Sequence, residues 1–327
     1  MNCLSLSRRA VRTRPRRMNR CAWAAGLLAP LLALAAEPEA SPAPSDTCRE
    51  TPVPTVETPR LRFEPDGLGG FLFDTGVIRG RLHAGGASLG VTEAYHVPTG
   101  VRLDQSKGLL SHYRVFANGR RFGNGAWDWP STASLLPDGR VEVRWADTND
   151  RPFTLRARYQ LTRPGILTVE TLVEARAELR GFEVFLASYF DPAFTNSFVL
   201  AKGRTRDGYA NATLDKGEWQ MYPRDAAARA LAEDGRWKLE PHPVNWTFPA
   251  ELASGPTVRA FRRALGKGLL ATFSADAADC FAVATPHQTE AHFSTYLSLF
   301  GRTLAAGETA RARVALIITG PAVPASP

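Results

Sequence analysis

Two histidines and a glutamate fall within six residues in the stretch Thr285-Pro286-His287-Gln288-Thr289-Glu290-Ala291-His292, in a chain with only six histidines. Neighbouring imidazole and carboxylate groups can take up and release protons near neutral pH. The spacing is one residue too long for the zinc signature H-x-x-E-H, and the order fails H-E-x-x-H. Those signatures also need a helix, whereas Phe293-Ser294-Thr295-Tyr296 favours a strand and Pro286 a turn. No metal and no cofactor is expected here. In extended chain Glu290 and His292 share a face, and His287 can fold over them from the turn. The carboxylate would then orient the imidazole or raise its pKa. Glu290 is cast as base and His287 or His292 as acid. The bland alternative is a loop whose polar groups bond the turn or face water.

A second cluster is Asn124-Gly125-Ala126-Trp127-Asp128-Trp129-Pro130-Ser131. Tryptophan faces stack on sugar rings, and a carboxylate between them can accept hydroxyl hydrogen bonds. In a strand the two tryptophans share one face and Asp128 takes the other; in a turn all three can converge. Core plugging explains the tryptophans equally well. A third group, Trp219-Gln220-Met221-Tyr222-Pro223-Arg224-Asp225, offers Tyr222 and Arg224 as substrate contacts, the forked guanidinium being suited to a carboxylate. A local Arg224–Asp225 pair at a helix entrance is the simpler reading. Glu240-Pro241-His242-Pro243 and Asn245-Trp246 form a Pro-rich loop with binding-type side chains. His96 and His112 lie on strand-like runs as further substrate-binding candidates, although a lone strand histidine is more often a packing residue. No G-x-S-x-G elbow, phosphate loop or Cys–His motif supports acyl-transfer, nucleotide or thiol chemistry.

The elements that must position these groups are strands. Leu155, Ala157, Tyr159 and Leu161 alternate with polar residues, and Leu167, Val169, Thr171 and Val173 resume the pattern after Arg163-Pro164-Gly165, predicting a long hairpin. Further turns are marked by Pro137-Asp138-Gly139, Asn118-Gly119, Gly266-Lys267-Gly268 and Ala306-Gly307-Glu308. Only Asp225 to Glu233 reads as a helix, with Asp225 as N-cap and Gly235 as stop. This is an all-β pattern, a large antiparallel β-sandwich with one short helix. Amphipathic strands such as 154–161 suit sheets with one solvated face.

The ends bound the cellular context. Seven arginines and no acid precede Glu37, and the apolar run Cys21–Ala36 ends in small residues, which describes a signal peptide over 1–36. Its apolar core is shorter than the ~20 residues a spanning helix needs, so no transmembrane span is expected in the mature chain. Met18 is an alternative start. Residues 37–60 form a Pro/Glu/Ser/Thr-rich linker, 61–320 a single domain and 321–327 a tail. The formal charge of +8 loses seven positive charges with the leader, leaving about +1 and no nucleic-acid footprint. The expected location is the periplasm or the extracellular space. Cys48 and Cys280 remain after the leader, either as a disulfide or as two thiols.

The strand ladder, the histidines at strand ends and the closing Tyr296-Leu297-Ser298-Leu299-Phe300-Gly301 and Gly307-Glu308-Thr309-Ala310 segments resemble the galactose-mutarotase-like supersandwich group. Within that group the chain is more similar to uncharacterised secreted bacterial proteins, through Trp127-Asp128-Trp129-Pro130 and Phe281-Ala282-Val283-Ala284-Thr285-Pro286-His287, than to true aldose epimerases. The resemblance implies a supersandwich over about 60–320 and a carbohydrate partner, a mono- or oligosaccharide with uronates among the candidates. Aldose epimerases pair a histidine acid with a glutamate base at the anomeric centre, but their histidine–aromatic–asparagine motif has no recognisable counterpart here. Two functions follow: an epimerase- or lyase-like carbohydrate-active protein, with Arg224 neutralising a uronate in the lyase case, or a non-catalytic envelope binding or assembly domain.

Overall fold

The computed structural model describes residues 59–203, 206–287 and 292–321. Glu290 and Cys48 lie outside the described residues, as do the leader and most of the linker.

Three antiparallel sheets make up the fold. The largest has nine strands in the order Gly208–Asn211, Asn196–Ala201, Thr257–Ala264, Leu269–Asp276, Thr309–Thr319, Ile166–Ala175, Phe153–Arg163, Val141–Trp145 and Thr132–Leu135. It faces a six-stranded sheet ordered Trp219–Pro223, Cys280–Pro286, Ser294–Leu304, Leu179–Tyr189, Ser111–Ala117 and Arg120–Arg121. A five-stranded sheet, from Glu64–Pro65 to Val101–Arg102, contributes Phe71, Phe73, Ile78 and Leu82 to the same central core, joined by Phe63 just before its first strand.

The hairpin predicted around Pro164-Gly165 is the longest in the nine-stranded sheet, with Leu155 opposite Val173 and Tyr159 opposite Val169. Its inward side chains are buried while Arg156, Arg158 and Glu170 face outward, as period-two burial requires. Cross-strand pairs line that outer face, Arg158 meeting Glu142 at 2.7 Å. Thr309–Thr319 alternates in the same way, burying Ala312, Val314, Leu316 and Ile318. The turns at Asn118-Gly119 and Gly266-Lys267-Gly268 also close hairpins; Asn118 and Gly119 have φ of 55° and 67°, the left-handed conformation such a two-residue turn needs.

The six-stranded sheet breaks this alternation. Cys280–Pro286 is buried at every residue, and so are Ser294–Phe300 and Phe182–Tyr189. Consecutive burial means that both faces are covered. One face packs on the nine-stranded sheet. The other carries a separate apolar cluster that includes Phe116, Trp127, Phe185, Tyr189, Met221, Trp237 and Tyr296. Over this second face lie the helix Ala226–Ala232, a 3₁₀ turn at Arg236–Lys238 and the loop that follows. Asp225 caps the helix as expected, its carboxylate accepting from the Ala228 amide at 2.8 Å.

Arg262 links the two large sheets. It projects inward from Thr257–Ala264, fully buried, and no carboxylate pairs with it among the described residues. Its guanidinium donates to the carbonyls of Phe194 (3.0 Å), Ser294 (2.6 Å) and Pro286 (3.3 Å) and to the hydroxyls of Thr285 and Thr295. Pro286 and Ser294 flank the His287–His292 stretch, so one buried side chain ties both of its ends to the core.

Candidate functional site

The loop over the six-stranded sheet is fixed at both edges of that sheet. At one edge, Thr247 donates its amide to the Trp219 carbonyl at 2.6 Å, and its carbonyl accepts from the Met221 amide at 2.9 Å. At the other, Arg114 Nη2 donates to the His242 carbonyl at 2.6 Å, and Arg121 donates to the carbonyls of Pro241 and Asn124. His242 has φ of 61°, an uncommon left-handed conformation for a residue with a side chain.

Beneath and beside this strap lies a cleft of about 660 Å³ walled by Tyr113, Phe185, Tyr189, Trp219, Trp237, Trp246 and Tyr296, with Arg114, Glu218, His242, Asn245 and His292 supplying polar groups. It continues into a second lobe of about 390 Å³ that takes in Gln105, Lys107, Arg121, Asn124, Trp127 and Asp128. Tyr113, Tyr189, His242 and His292 border both lobes. The volumes are those of ordinary small-ligand sites, and the aromatic walls are interspersed with polar and charged groups in both lobes.

The rings interlock. Trp127 stacks on Tyr113 at 4.0 Å, and Phe185 on Tyr296 at 4.8 Å. His292 sits 5.3 Å from Trp219 and 5.7 Å from Tyr189, centroid to centroid. Gly125 permits the Trp127–Tyr113 stack, since a Cβ there would come within 2.9 Å of Tyr113. The Tyr296 hydroxyl donates to the Tyr189 oxygen at 3.1 Å. Burial pushes the Tyr296 hydroxyl up to about 12; burial and then the adjacent Tyr296 raise Tyr189 as well. At neutral pH both are therefore uncharged phenols, able to donate a hydrogen bond but not to act as ready bases.

The sequence-derived candidates separate on this map. His292 and the Trp127-Asp128 pair, more than 160 residues apart, border the same lobe. Trp129 turns the opposite way: the 3₁₀ turn Ala126–Asp128 sends it into the central core, against Phe153 and under the Arg151 guanidinium at 4.0 Å. The two tryptophans thus neither share a face nor converge. His287 lies at the sheet edge, its amide donating to the Glu218 carbonyl and its Nδ1 3.1 Å from the Ala212 carbonyl, outside the cleft lining. Tyr222 is buried, donating to the Gln220 side chain at 2.8 Å. Arg224 bonds Asp225 at 3.1 Å and the Ala277 carbonyl, the local pair at the helix entrance. His96 is buried beside Thr99 in the five-stranded sheet. His112 is buried between the sheets, 2.8 Å from the Thr171 hydroxyl, where desolvation lowers its pKa to about 3. None of His287, Tyr222, Arg224, His96 or His112 borders the cleft.

Other cleft residues had no motif to announce them. Tyr113, Arg114, Tyr189 and Tyr296 come from three strands that are adjacent only after folding. The sequence signal available was the near-absence of charged residues from Phe182–Tyr189 and Ser294–Phe300, where both faces are covered. Among the described residues no group of three or more His, Cys, Asp or Glu is placed to hold a metal ion. Nor is any described helix long and apolar enough to cross a membrane.

No protein-family model and no curated protein matches the chain. Solved structures do. A galactose mutarotase related enzyme from Lactobacillus acidophilus matches 77% of this chain over 97% of its own length, at 9% identity and a TM-score of 0.48. Galactose 1-epimerase from Lactobacillus acidophilus matches 80% over 99%, at 10% identity and 0.45. An aldose epimerase homologue from C. elegans matches 80% over 99%, at 8% identity and 0.40. These are structures of the group that the sequence resembles; at this level of similarity no activity, substrate or site residue transfers from them.

Proposed function

We propose that the cleft over the six-stranded sheet binds a saccharide and that His292 moves a proton on it. The observation carrying this reading is the convergence of seven aromatic rings with Arg114, His242 and His292 in one two-lobed cleft. Flat aromatic walls suit the apolar faces of sugar rings, and the interspersed polar groups suit hydroxyls. His292 is the proton-transfer group best placed, with Tyr189 as a neutral hydrogen-bond donor beside it. Export through the leader read from the sequence belongs to the same proposal, with the periplasm or exterior as the place of action.

The test is a screen of purified protein against neutral and acidic mono- and oligosaccharides, scoring binding and turnover separately. Trp246→Ala is expected to weaken binding several-fold through lost stacking. His292→Ala is expected to leave binding in place and lower turnover by about a hundredfold or more. Binding with no turnover by the parent protein would select the non-catalytic reading. Failure of every saccharide to bind would remove the proposal.

A further inference from the structure

Several buried hydrogen-bond donors of the cleft have no acceptor, and its cations form no ion pair among the described residues. Arg114 is only 3% exposed, yet its Nε and Nη1 have no hydrogen-bond partner. The indole N–H groups of Trp237 and Trp246, in the same wall, are also buried without one. Arg121 spends two nitrogens on backbone carbonyls, and its Nε is unpartnered. Neither Arg114, Arg121 nor Lys107 has a carboxylate within ion-pair distance among the described residues, although most arginine–carboxylate encounters elsewhere in the chain are closed.

These three cations form one stack. Arg114 lies 5.1 Å and Arg121 6.0 Å from the Tyr113 ring centroid. Tyr113 stacks on Trp127, and Lys107 lies 5.4 Å from the Trp127 ring. Arg262 is buried without a counter-charge because carbonyls and hydroxyls take the hydrogen bonds of all three of its nitrogens, whereas two nitrogens of Arg114 have no acceptor, which is unfavourable unless a ligand supplies one. The nearby carboxylates do not. Glu218, Asp128 and Glu240 are all exposed; Asp128 already accepts from Trp127 Nε1 at 3.2 Å, and Glu240 acts on Arg121 without coming within ion-pair distance.

We infer that the cleft around the Tyr113 ring carries an anion subsite, to which the first lobe contributes Arg114 and the second Lys107 and Arg121, and that the ligand is a saccharide bearing carboxylate or sulfate groups. The inference rests on the saccharide reading of the cleft and narrows it to one chemical class. It also moves the anion-binding role from Arg224, held at the helix entrance, to Arg114. The two arginines are already held against the Tyr113 ring and by carbonyls of the strap, so few of their rotamers need be frozen when an anion binds. The unpartnered indole and guanidinium donors would gain acceptors at the same time.

The experiment is isothermal titration of the full chain with three matched probes: an oligogalacturonate, its carboxyl-reduced neutral counterpart and a sulfated galactan of the same length. At least one anionic probe should bind about tenfold or more tighter than the neutral one, the size expected of a single charge-assisted contact. That preference should shrink as salt is raised. Whichever anion binds tighter identifies the group. Lys107→Gln, an exposed change that leaves the fold intact, should lower the preference about threefold, and Arg121→Gln more. Equal affinity for neutral and anionic probes, or a preference untouched by both substitutions, would overturn the anion subsite while leaving a sugar cleft standing. No binding by any of the three would remove both.

Discussion

The two large sheets of this protein are built on different rules. In the nine-stranded sheet, hydrophobic and polar residues alternate, one face is solvated, and the charges there pair across strands, as Arg158 does with Glu142. In the six-stranded sheet the segments Cys280–Pro286, Ser294–Phe300 and Phe182–Tyr189 are buried at every residue, because a second layer of helix and loop covers the outer face. The first arrangement needs only a hydrophobic core on one side. The second adds a layer whose aromatic and cationic side chains leave a cleft between strap and sheet. Scaffold and candidate site are thus opposite faces of one sandwich, and the difference is visible in burial before any chemistry is considered.

Arg262 joins the two sheets, so its loss should have the largest effect. Arg262→Met would strand the buried carbonyls of Phe194, Ser294 and Pro286, at about 4 kcal/mol or more in total. Urea denaturation measures this, and a loss under about 1 kcal/mol would show that the tie is dispensable.

Leu316→Ala, in the core of the nine-stranded sheet, is expected to cost about 2–4 kcal/mol with no change in ligand affinity. Tyr296→Phe makes the opposite separation. It removes the hydrogen bond to Tyr189 at about 1 kcal/mol of stability but should impair ligand binding or turnover at least as much as it impairs folding. If the two substitutions affect binding alike, the division into scaffold and site fails.

His112 adds a pH dependence to the shared core. Its folded pKa lies near 3, well below the 6.5 of an ordinary histidine. The unfolded chain therefore takes up a proton that the folded chain refuses. The stability conferred by the neutral ring is fully present above 6.5 and drains as pH falls from 6.5 toward 3, by about 1.4 kcal/mol per pH unit. His112→Gln should flatten that limb of the urea-midpoint profile; an unchanged slope would place the titrating group elsewhere. At the small end, Arg313→Ala on the exposed face of the nine-stranded sheet should shift stability by no more than about 0.5 kcal/mol.

The sequence disclosed the scaffold well because its rules are local. Alternation over 155–173 and the Pro164-Gly165 turn specify a hairpin without reference to the rest of the chain, and Asp225 starts the helix, which ends at Ala232 with Glu233 as its C-cap while Gly235 opens the next 3₁₀ turn. The cleft is non-local. Tyr113, Tyr189, His242 and His292 meet through strand order and a crossing loop that no short motif encodes. Trp127 and Trp129 are two apart, yet one faces the cleft and the other the core, since a 3₁₀ turn replaces the strand or open turn that spacing suggested. Arg224 carried the right chemistry for an anion but lies at a helix entrance. Arg114, on the strand-like run noted for His112, has the guanidinium with two unpartnered nitrogens.

The most direct test is an NMR map of the parent protein with the tightest-binding saccharide from the screen. Shifts centred on the His242 and His292 rings and on the Trp219 and Trp246 indole N–H groups are expected, with the outer face of the nine-stranded sheet silent. Shifts centred instead on the separate groove of the five-stranded sheet around Arg79 and Tyr95 would contradict the account.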